Sequence, residues 1–265
     1  MDTNRRLRSD HVDGFLVHFP RGDIDALAEG LDLAHHNGIA THVGCSNFGI
    51  LELRRLHAAL AKRGVALAFN EIEFSLLRSA PAETDGLLDV CRELDVKVLS
   101  WAPLGSGRLA GRHADDVADP ATRRLIGALD RVGIDRCRGG AARPGDAATR
   151  AIHTQALDRV AAARGKTRAA VAINWCICKG TVPIPGARTP EQARENCAGA
   201  GWRLSAEEVA GLDAHALRDG GFYSDPEAIL CFAGIRLPRV LRGFAHAVVR
   251  FVLPLVTYFL PLQRG

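Results

Sequence analysis

The chain has 265 residues, 47% of them hydrophobic and 24% charged, which is ordinary for a globular protein with a substantial core. Its net charge of +4 is small and scattered, so it gives no argument for a nucleic-acid partner. The seven cysteines are odd in number and lack the spacing of a disulfide framework or a zinc site. We therefore predict reduced thiols and an intracellular, cytoplasmic protein.

Short apolar runs alternate with helical patterns through the first 216 residues. The runs predict strands over 14–18, 40–45, 66–71, 96–101 and 181–184. The first of these lies in the apolar stretch 12–19, the pattern of a strand buried on both faces. Between and after them, helices are predicted over 23–37, 51–63, 84–94, 154–164, 167–179, 190–197 and 204–216.

Strand–helix alternation predicts parallel strands joined by crossover helices, in an open wound sheet or in part of a closed barrel. No Gly-x-Gly-x-x-Gly follows the first strand, which weakens the wound-sheet alternative. Residues 105–150, rich in Gly, Arg, Asp and Ala, are expected to form a long surface connection with some helix.

A polar pair, Ser46 and Asn47, ends the second predicted strand. Ligands bind at the carboxyl ends of strands in barrels and wound sheets, and hydroxyl and amide groups there can hydrogen-bond a planar amide such as a nicotinamide carboxamide. The alternative is that the two residues only cap the helix that follows.

From residue 217 onward the character of the sequence changes to an apolar tail. Residues 244–262 are strongly apolar but contain His246, Arg250, Pro254 and Pro261, which makes a membrane span borderline. We predict two parts, 1–216 and a helical tail 217–265 packed against it. Membrane contact by the tail remains the alternative.

Five segments stand at strand ends in chain order: 10–20 (DHVDGFLVHFP), 38–48 (GIATHVGCSNF), 69–76 (FNEIEFSL), 100–111 (SWAPLGSGRLAG) and 182–196 (VPIPGARTPEQAREN). Together, over about residues 4–215, they resemble the aldo-keto reductases. Gly-Trp-Arg-Leu around Trp202 is similar to the plastid and cyanobacterial-type branch, which makes a plastid the alternative location.

The resemblance implies an α/β protein of the (β/α)8 TIM-barrel type, here reduced to about five β/α units that correspond to the fourth to eighth of the family. It also implies NADPH as the cofactor, a small-molecule carbonyl substrate reduced to an alcohol, and no metal.

The resemblance also implies roles at the barrel mouth. His18 matches the active-site histidine that orients the substrate carbonyl. Ser46 and Asn47 match the pair that holds the carboxamide, and Glu71 stands where Gln is common. Trp101 stands where an aromatic residue stacks on the nicotinamide. Without the resemblance, His18 and Trp101 would be interpreted as core residues.

The remaining matches concern the nucleotide part of the cofactor. The pyrophosphate loop matches Leu104, Gly105, Ser106 and Gly107. The 2′-phosphate site matches Gly186, Ala187 and Arg188, and the adenosine site matches Gln192, Glu195 and Asn196. The alternatives are an ordinary turn for the Gly-Ser-Gly sequence and a solvated helix face for Arg188 and Arg194.

The family's proton-donating Tyr, its Lys and its Asp match no residue of this chain, whose two tyrosines, Tyr223 and Tyr258, lie in the tail. We therefore expect little turnover and weigh three interpretations. The first is an aldo-keto reductase whose recorded start is too late. The second is an inactive NADPH-binding regulatory or interaction module, and the third is a membrane-peripheral protein built on an open barrel. Open edges at 12–19 and 182–184 would be covered by the tail or by a second copy.

Overall fold

A computed structural model describes residues 8–111 and 146–216, and it contains one sheet of five parallel strands. The strands follow chain order across the sheet, from β1 to β5. Their bounds are β1 Val12–Val17, β2 Ala40–Ser46, β3 Leu67–Glu73, β4 Lys97–Trp101 and β5 Val182–Ile184. All five predicted strands are confirmed, with ends that differ by at most two residues from the prediction.

Helices connect and cover these strands. They are α1 Ile24–His36, α2 Ile50–Ala61, α3 Ala80–Glu83, α4 Leu87–Glu93, α5 Asp146–Arg164, α6 Arg168–Cys178, α7 Pro190–Cys197 and α8 Ala206–Asp213, with a 3-10 helix over Gly105–Ala110. Local signals account for many of the ends. Asp23 caps α1 through the N–H of Ala26, Gly38 follows α1 with φ +69°, and the predicted capping box of Ser205 and Glu208 begins α8.

The core lies between the sheet and its helices. Val43 of β2, Leu53 and Leu56 of α2, and Phe74 after β3 have at most 1% of their surface exposed. The ring of Phe74 stacks on that of Trp175 from α6, with centroids 5.1 Å apart. Each such side chain contributes about 1.5–3 kcal/mol by leaving water, so the core fixes the strands that carry the site.

The first strand corrects one prediction. We expected a strand buried on both faces, but Asp13, Gly14 and Phe15 are exposed, and Phe15 keeps 45% of its surface accessible. The physical reason is position, because within the described residues β1 pairs only with β2. The apolar run therefore predicted the position of the strand correctly, but the prediction that both of its faces are buried was wrong.

The helix predicted over 84–94 begins later than expected. Gly86 has φ +69°, a left-handed conformation that an α-helix cannot include, and α4 starts at the next residue, Leu87. The short helix α3 ends before the predicted range, and the sequence pattern did not indicate it.

Several predictions fall outside the described residues. These are the tail 217–265, the boundary of the second part, and positions 112–145 of the connection that precedes α5. Across 8–111 and 146–216, no helix has both the length and the apolar character needed to cross a bilayer.

Candidate active site

Parallel strands bring their carboxyl ends to one edge of the sheet, and five of the predicted site residues meet there. Ser46 pairs with Glu71 across β2 and β3, and Trp101 of β4 pairs with Glu73 on one side and Ile184 on the other. His18 directly follows β1, and Asn47 directly follows β2. We call His18, Ser46, Asn47, Glu71 and Trp101 the strand-end cluster.

The side chain of Asn47 connects most of this cluster. Its amide nitrogen donates to the backbone oxygen of His18 at 3.2 Å and to the hydroxyl of Ser46 at 2.9 Å. Its amide oxygen accepts the indole N–H of Trp101 at 3.0 Å. Asn47 thus links the ends of β1, β2 and β4, and it is only 6% exposed.

The backbone of Asn47 is also held in place. Its N–H donates to the backbone oxygen of Glu71 at 2.7 Å, and its φ is +63°, a left-handed conformation that asparagine tolerates better than most residues. The hydroxyl of Ser46 donates to the same Glu71 oxygen at 3.1 Å. The end of β3 therefore supports the turn after β2.

The structure rules out the capping alternative for Ser46 and Asn47. The N-cap of α2 is Gly49, and this helix start has no side-chain capping hydrogen bond. Ser46 is fully buried and hydrogen-bonds Glu71 and Asn47. Both residues organise the strand ends.

Glu71 is a carboxyl group in a partly buried position. Burial raises the pKa of Glu71, and the nearby His18 acts in the opposite direction. A protonated carboxyl group carries one O–H donor, whereas a carboxylate carries none. The raised pKa therefore extends to higher pH the range over which Glu71 keeps a donor, as the amide of a glutamine would.

His18 is exposed at the edge of the sheet, so the interpretation as a buried core histidine does not hold. Its ring lies against that of Phe19, with centroids 4.2 Å apart and planes tilted by 37°. Pro20 comes directly after this pair. The imidazole is thus accessible at the same edge as Asn47.

An aromatic ring fills the interior face below the cluster. A Cβ placed on Gly44 would lie 2.8 Å from Cζ of Phe69 and closer still to two other ring atoms, and one on Gly14 would lie 3.1 Å from the same Cζ. Side chains two residues apart share a face of a strand, so Phe69 lies on the face of Glu71, and Gly44 on that of Ser46. The glycines let the ring lie flat on β1 and β2.

The predicted pyrophosphate loop follows β4 as the 3-10 helix Gly105–Ala110. Gly105 and Gly107 have φ of +54° and +93°, and a Cβ on Gly105 would lie 2.5 Å from Cδ1 of Leu77. Both positions therefore have backbone conformations that favour glycine. Leu104 and Gly107 are partly buried in this loop, and the backbone of Ser106 lies between the two glycines.

The predicted 2′-phosphate and adenosine residues follow β5 and enter α7. The backbone N–H of Arg188 donates to the side chain of Gln192 at 2.7 Å, and Asn196 donates to the backbone oxygen of Gly186 at 3.2 Å. These bonds fold the segment from Gly186 through Ala187 to Arg188 back onto α7, where Arg188 is exposed. Glu195 is half-buried on the same helix.

One organising residue was missed in the sequence. Asn70 is fully buried in β3, and its side chain hydrogen-bonds the backbone of Phe48, the residue after Asn47. A polar residue within the otherwise apolar pattern of a buried strand was the available signal.

A parallel α/β half-barrel that gathers polar and aromatic side chains at the carboxyl ends of its strands has the architecture of the TIM-barrel enzymes. A family model described as "Aldo/keto reductase family" matches residues 2–217. The chain belongs to the aldo/keto reductase family.

Curated relatives agree with this assignment. The chain is 33% identical over 187 residues to a chloroplastic pyridoxal reductase of Arabidopsis thaliana, covering 71% of this chain and 47% of the relative. It is 36% identical over 135 residues to a 6-dehydroglucose reductase of Agrobacterium fabrum, covering 50% and 41%. The chain thus spans about half the length of these relatives.

Solved structures show the same fold. The chain matches the apo form of Gox0644 with a TM-score of 0.59 at 22% identity, covering 83% of this chain and 64% of the other. It matches a thermostable aldo-keto reductase, Tm1743, in complex with epalrestat, with a TM-score of 0.58 at 23% identity, covering 81% and 63%. The described sheet is therefore a TIM-barrel-like α/β half-barrel.

Proposed function

We propose that this chain forms the cofactor-binding side of an NADPH-dependent aldo-keto reductase that reduces an aldehyde or ketone to an alcohol. The observation that carries the proposal is the position of Asn47, whose amide joins three strand ends beside the exposed imidazole of His18. The five strands would correspond to the fourth to eighth of the family barrel.

The strand-end cluster fits a carboxamide. Both amide N–H groups of Asn47 donate hydrogen bonds to protein acceptors. Its oxygen can accept two hydrogen bonds and accepts one, from the indole N–H of Trp101. The second acceptor position can receive an N–H of the carboxamide. Glu71, where its carboxyl group is protonated, would add a donor, and the indole face of Trp101 would pack on the ring.

The nucleotide part would be held by two segments at the same edge. The glycines of the loop after β4 allow the backbone to approach a pyrophosphate closely. Arg188 would bind the 2′-phosphate together with the N–H groups at the start of α7, where a helix dipole favours an anion. Gln192, Glu195 and Asn196 would surround the adenosine.

NADPH, when bound, supplies the hydride for carbonyl reduction. His18 would hold the substrate oxygen by a hydrogen bond and stabilise the negative charge that develops there. A positioned acid typically adds a factor of about 10²–10⁴. The described residues include no tyrosine for that role, so we propose low turnover for this chain by itself.

The missing acid favours a second candidate, an NADPH-binding module without catalysis. The two functions separate cleanly, because both require saturable NADPH binding and only the first requires oxidation of NADPH in the presence of a carbonyl. We propose the cytoplasm as the location, with a plastid as the alternative because one relative is named as chloroplastic.

The test is a titration with NADPH, followed by quenching of tryptophan fluorescence. The wild type should saturate, and Asn47→Ala should raise Kd about tenfold because a buried polar contact to the cofactor is lost. Asn37→Ala, at the exposed end of α1 before β2, is the matched control and should bind as the wild type does. Absence of saturable binding by the wild type would refute both candidates.

The catalytic half of the proposal is tested at His18. In a form of the protein that turns over, His18→Ala should lower kcat with little change in the Kd for NADPH. An unchanged kcat would show that His18 is not the group that holds the carbonyl.

A further inference from the structure

Asn70 holds the backbone on the far side of Asn47. Its amide nitrogen donates to the backbone oxygen of Phe48 at 3.0 Å, and its amide oxygen accepts the backbone N–H of Phe48 at 3.4 Å. The thiol of Cys45 donates to the same oxygen at 3.5 Å. One fully buried side chain of β3 thus contacts the residues two before and one after Asn47.

These contacts hold the backbone of the turn in place. Asn47 has φ +63°, a left-handed conformation that asparagine tolerates better than most residues and that the surrounding hydrogen bonds support. The Glu71 backbone oxygen holds the N–H of Asn47 itself, and Asn70 holds both backbone groups of the next residue. Two consecutive residues of β3 therefore enforce the conformation of this turn.

We propose that Asn70 is a positioning residue for the nicotinamide end of the cofactor. It acts through Phe48 to aim the Asn47 side chain at His18, Ser46 and Trp101, and so keeps the free acceptor position of Asn47 directed toward the carboxamide. This inference rests on the proposed function for its ligand, whereas its structural part can be tested without any ligand. A purely structural role would leave Asn47 oriented when Asn70 is replaced.

The chain contains its own reporters of that orientation. It has three tryptophans, and each indole N–H donates to a different acceptor: Trp101 to Asn47, Trp175 to Asp213, and Trp202 to the backbone oxygen of Ala198. In a ¹⁵N–¹H correlation spectrum the three side-chain signals are resolved from the backbone and can be assigned by Trp→Phe substitutions. The Trp101 signal reports directly on Asn47.

Asn70→Ala is expected to shift the Trp101 signal and leave those of Trp175 and Trp202 in place. If the alanine variant does not fold, Asn70→Leu replaces it, because leucine keeps a branched side chain and removes both hydrogen bonds. The same shift of the Trp101 signal is expected. An unchanged Trp101 signal in a folded variant would overturn the inference.

Asn174→Ala is the matched control. Asn174 is also fully buried, and it donates to the backbone oxygens of Gly199 and Trp202 and accepts the N–H of Leu204. Its replacement should affect the Trp202 signal and spare that of Trp101. Movement of Trp101 in this variant would mean that the signal reports general loosening, and the inference would fail.

The cofactor part is tested with two ligands. Asn70→Ala should raise the Kd for NADPH about tenfold and leave that for adenosine 2′,5′-bisphosphate, which lacks the nicotinamide, unchanged. In the Asn47→Ala background the same substitution should add less than about twofold, because both changes remove one interaction. If the two substitutions instead multiplied their effects on the Kd for NADPH, the positioning role of Asn70 would be overturned. If the wild type does not bind NADPH, the proposed function fails while the Trp101 signal still decides the inference on Asn70.

Discussion

The indole N–H of Trp101 donates to the side-chain oxygen of Asn47 at 3.0 Å, across 54 positions of sequence. Trp101 is therefore more than an aromatic face at the end of β4. It occupies one of the two acceptor positions of Asn47 and fixes the direction of the other. A tyrosine, whose one polar side-chain group is the hydroxyl at the far end of its ring, would not reproduce this indole donor.

This relationship predicts a graded response at position 101. Trp101→Phe keeps an aromatic face but removes the donor, and it should weaken NADPH binding about fivefold, the effect of one hydrogen bond of about 1 kcal/mol. Trp101→Ala should weaken binding further because the packing surface is also lost. Titration with NADPH distinguishes the two. Trp202→Phe, which removes a partly buried indole hydrogen-bonded to the backbone oxygen of Ala198, is the control and should bind NADPH as the wild type does.

Cofactor preference should depend on Arg188. Arg188→Ala should weaken NADPH binding by about tenfold or more and leave NADH binding unchanged, because only NADPH carries the 2′-phosphate that a guanidinium binds through charged hydrogen bonds. Competition of each nucleotide against a fluorescent analogue measures both constants. Arg194→Ala is the matched control, since Arg194 is exposed on α7, the helix that follows Arg188, and pairs with Glu191. If Arg188→Ala weakened the binding of NADPH and NADH equally, Arg188 would not be the residue that binds the 2′-phosphate.

The partly buried carboxyl group of Glu71 predicts a pH dependence of stability. Its pKa is raised in the folded state by burial, so the wild type loses stability as the pH rises from the unfolded pKa to the folded pKa, and the loss is complete above the folded pKa. Glu71→Gln should therefore be more stable than the wild type near neutral pH, and the difference should vanish below about pH 4, where the carboxyl group is protonated in both states. Urea unfolding at several pH values measures this.

Glu93 provides a control of opposite sign. Its pKa is lowered, chiefly by its hydrogen bond from Arg54, so its carboxylate supports the folded state above the unfolded pKa and that support is lost as the pH falls. Glu93→Gln should be slightly less stable than the wild type near neutral pH. The same sign for both variants would refute the interpretation of Glu71.

The face of the sheet on which the Phe69 ring rests should not tolerate a methyl group at Gly44, under that ring. Gly44→Ala places a Cβ inside the van der Waals distance of three ring atoms and should lower the free energy of unfolding by about 1–3 kcal/mol. Gly30→Ala, in the middle of α1 with open space around its Cα, should instead raise it by about 0.5–1 kcal/mol. Urea unfolding of both variants checks the pair. Equal stability of Gly44→Ala and the wild type would mean that Phe69 does not rest on Gly44.

Local features of the sequence predicted the elements well because their causes are local. Asp23, Gly38 and Gly64 end or begin helices through their own capping groups or left-handed backbone, and these are visible from the residue type. The resemblance to a family supplied the site residues, and five of them meet at the strand ends. Neither source indicated which of them hydrogen-bond one another.

The contacts that were not predicted join residues far apart in sequence. The side chain of Asn70 hydrogen-bonds the backbone of Phe48, 22 positions away in the sequence. This contact depends on the register of β2 against β3, which shifts between Val43 and Gly44. The exposure of Phe15 likewise depends on which strands flank β1. Residue type alone carries none of this information, because register and neighbours are properties of the assembled sheet.

The order of the strands has a consequence for how the sheet forms. Within the described residues, each strand from β2 to β5 pairs with the described strand before it, so no pairing has to wait for a strand further along the chain. During synthesis a new β/α unit can add to an edge that has already emerged from the ribosome, without waiting for distant sequence. The five described strands can therefore pair in the order of synthesis, and β5 is the last of them to be added.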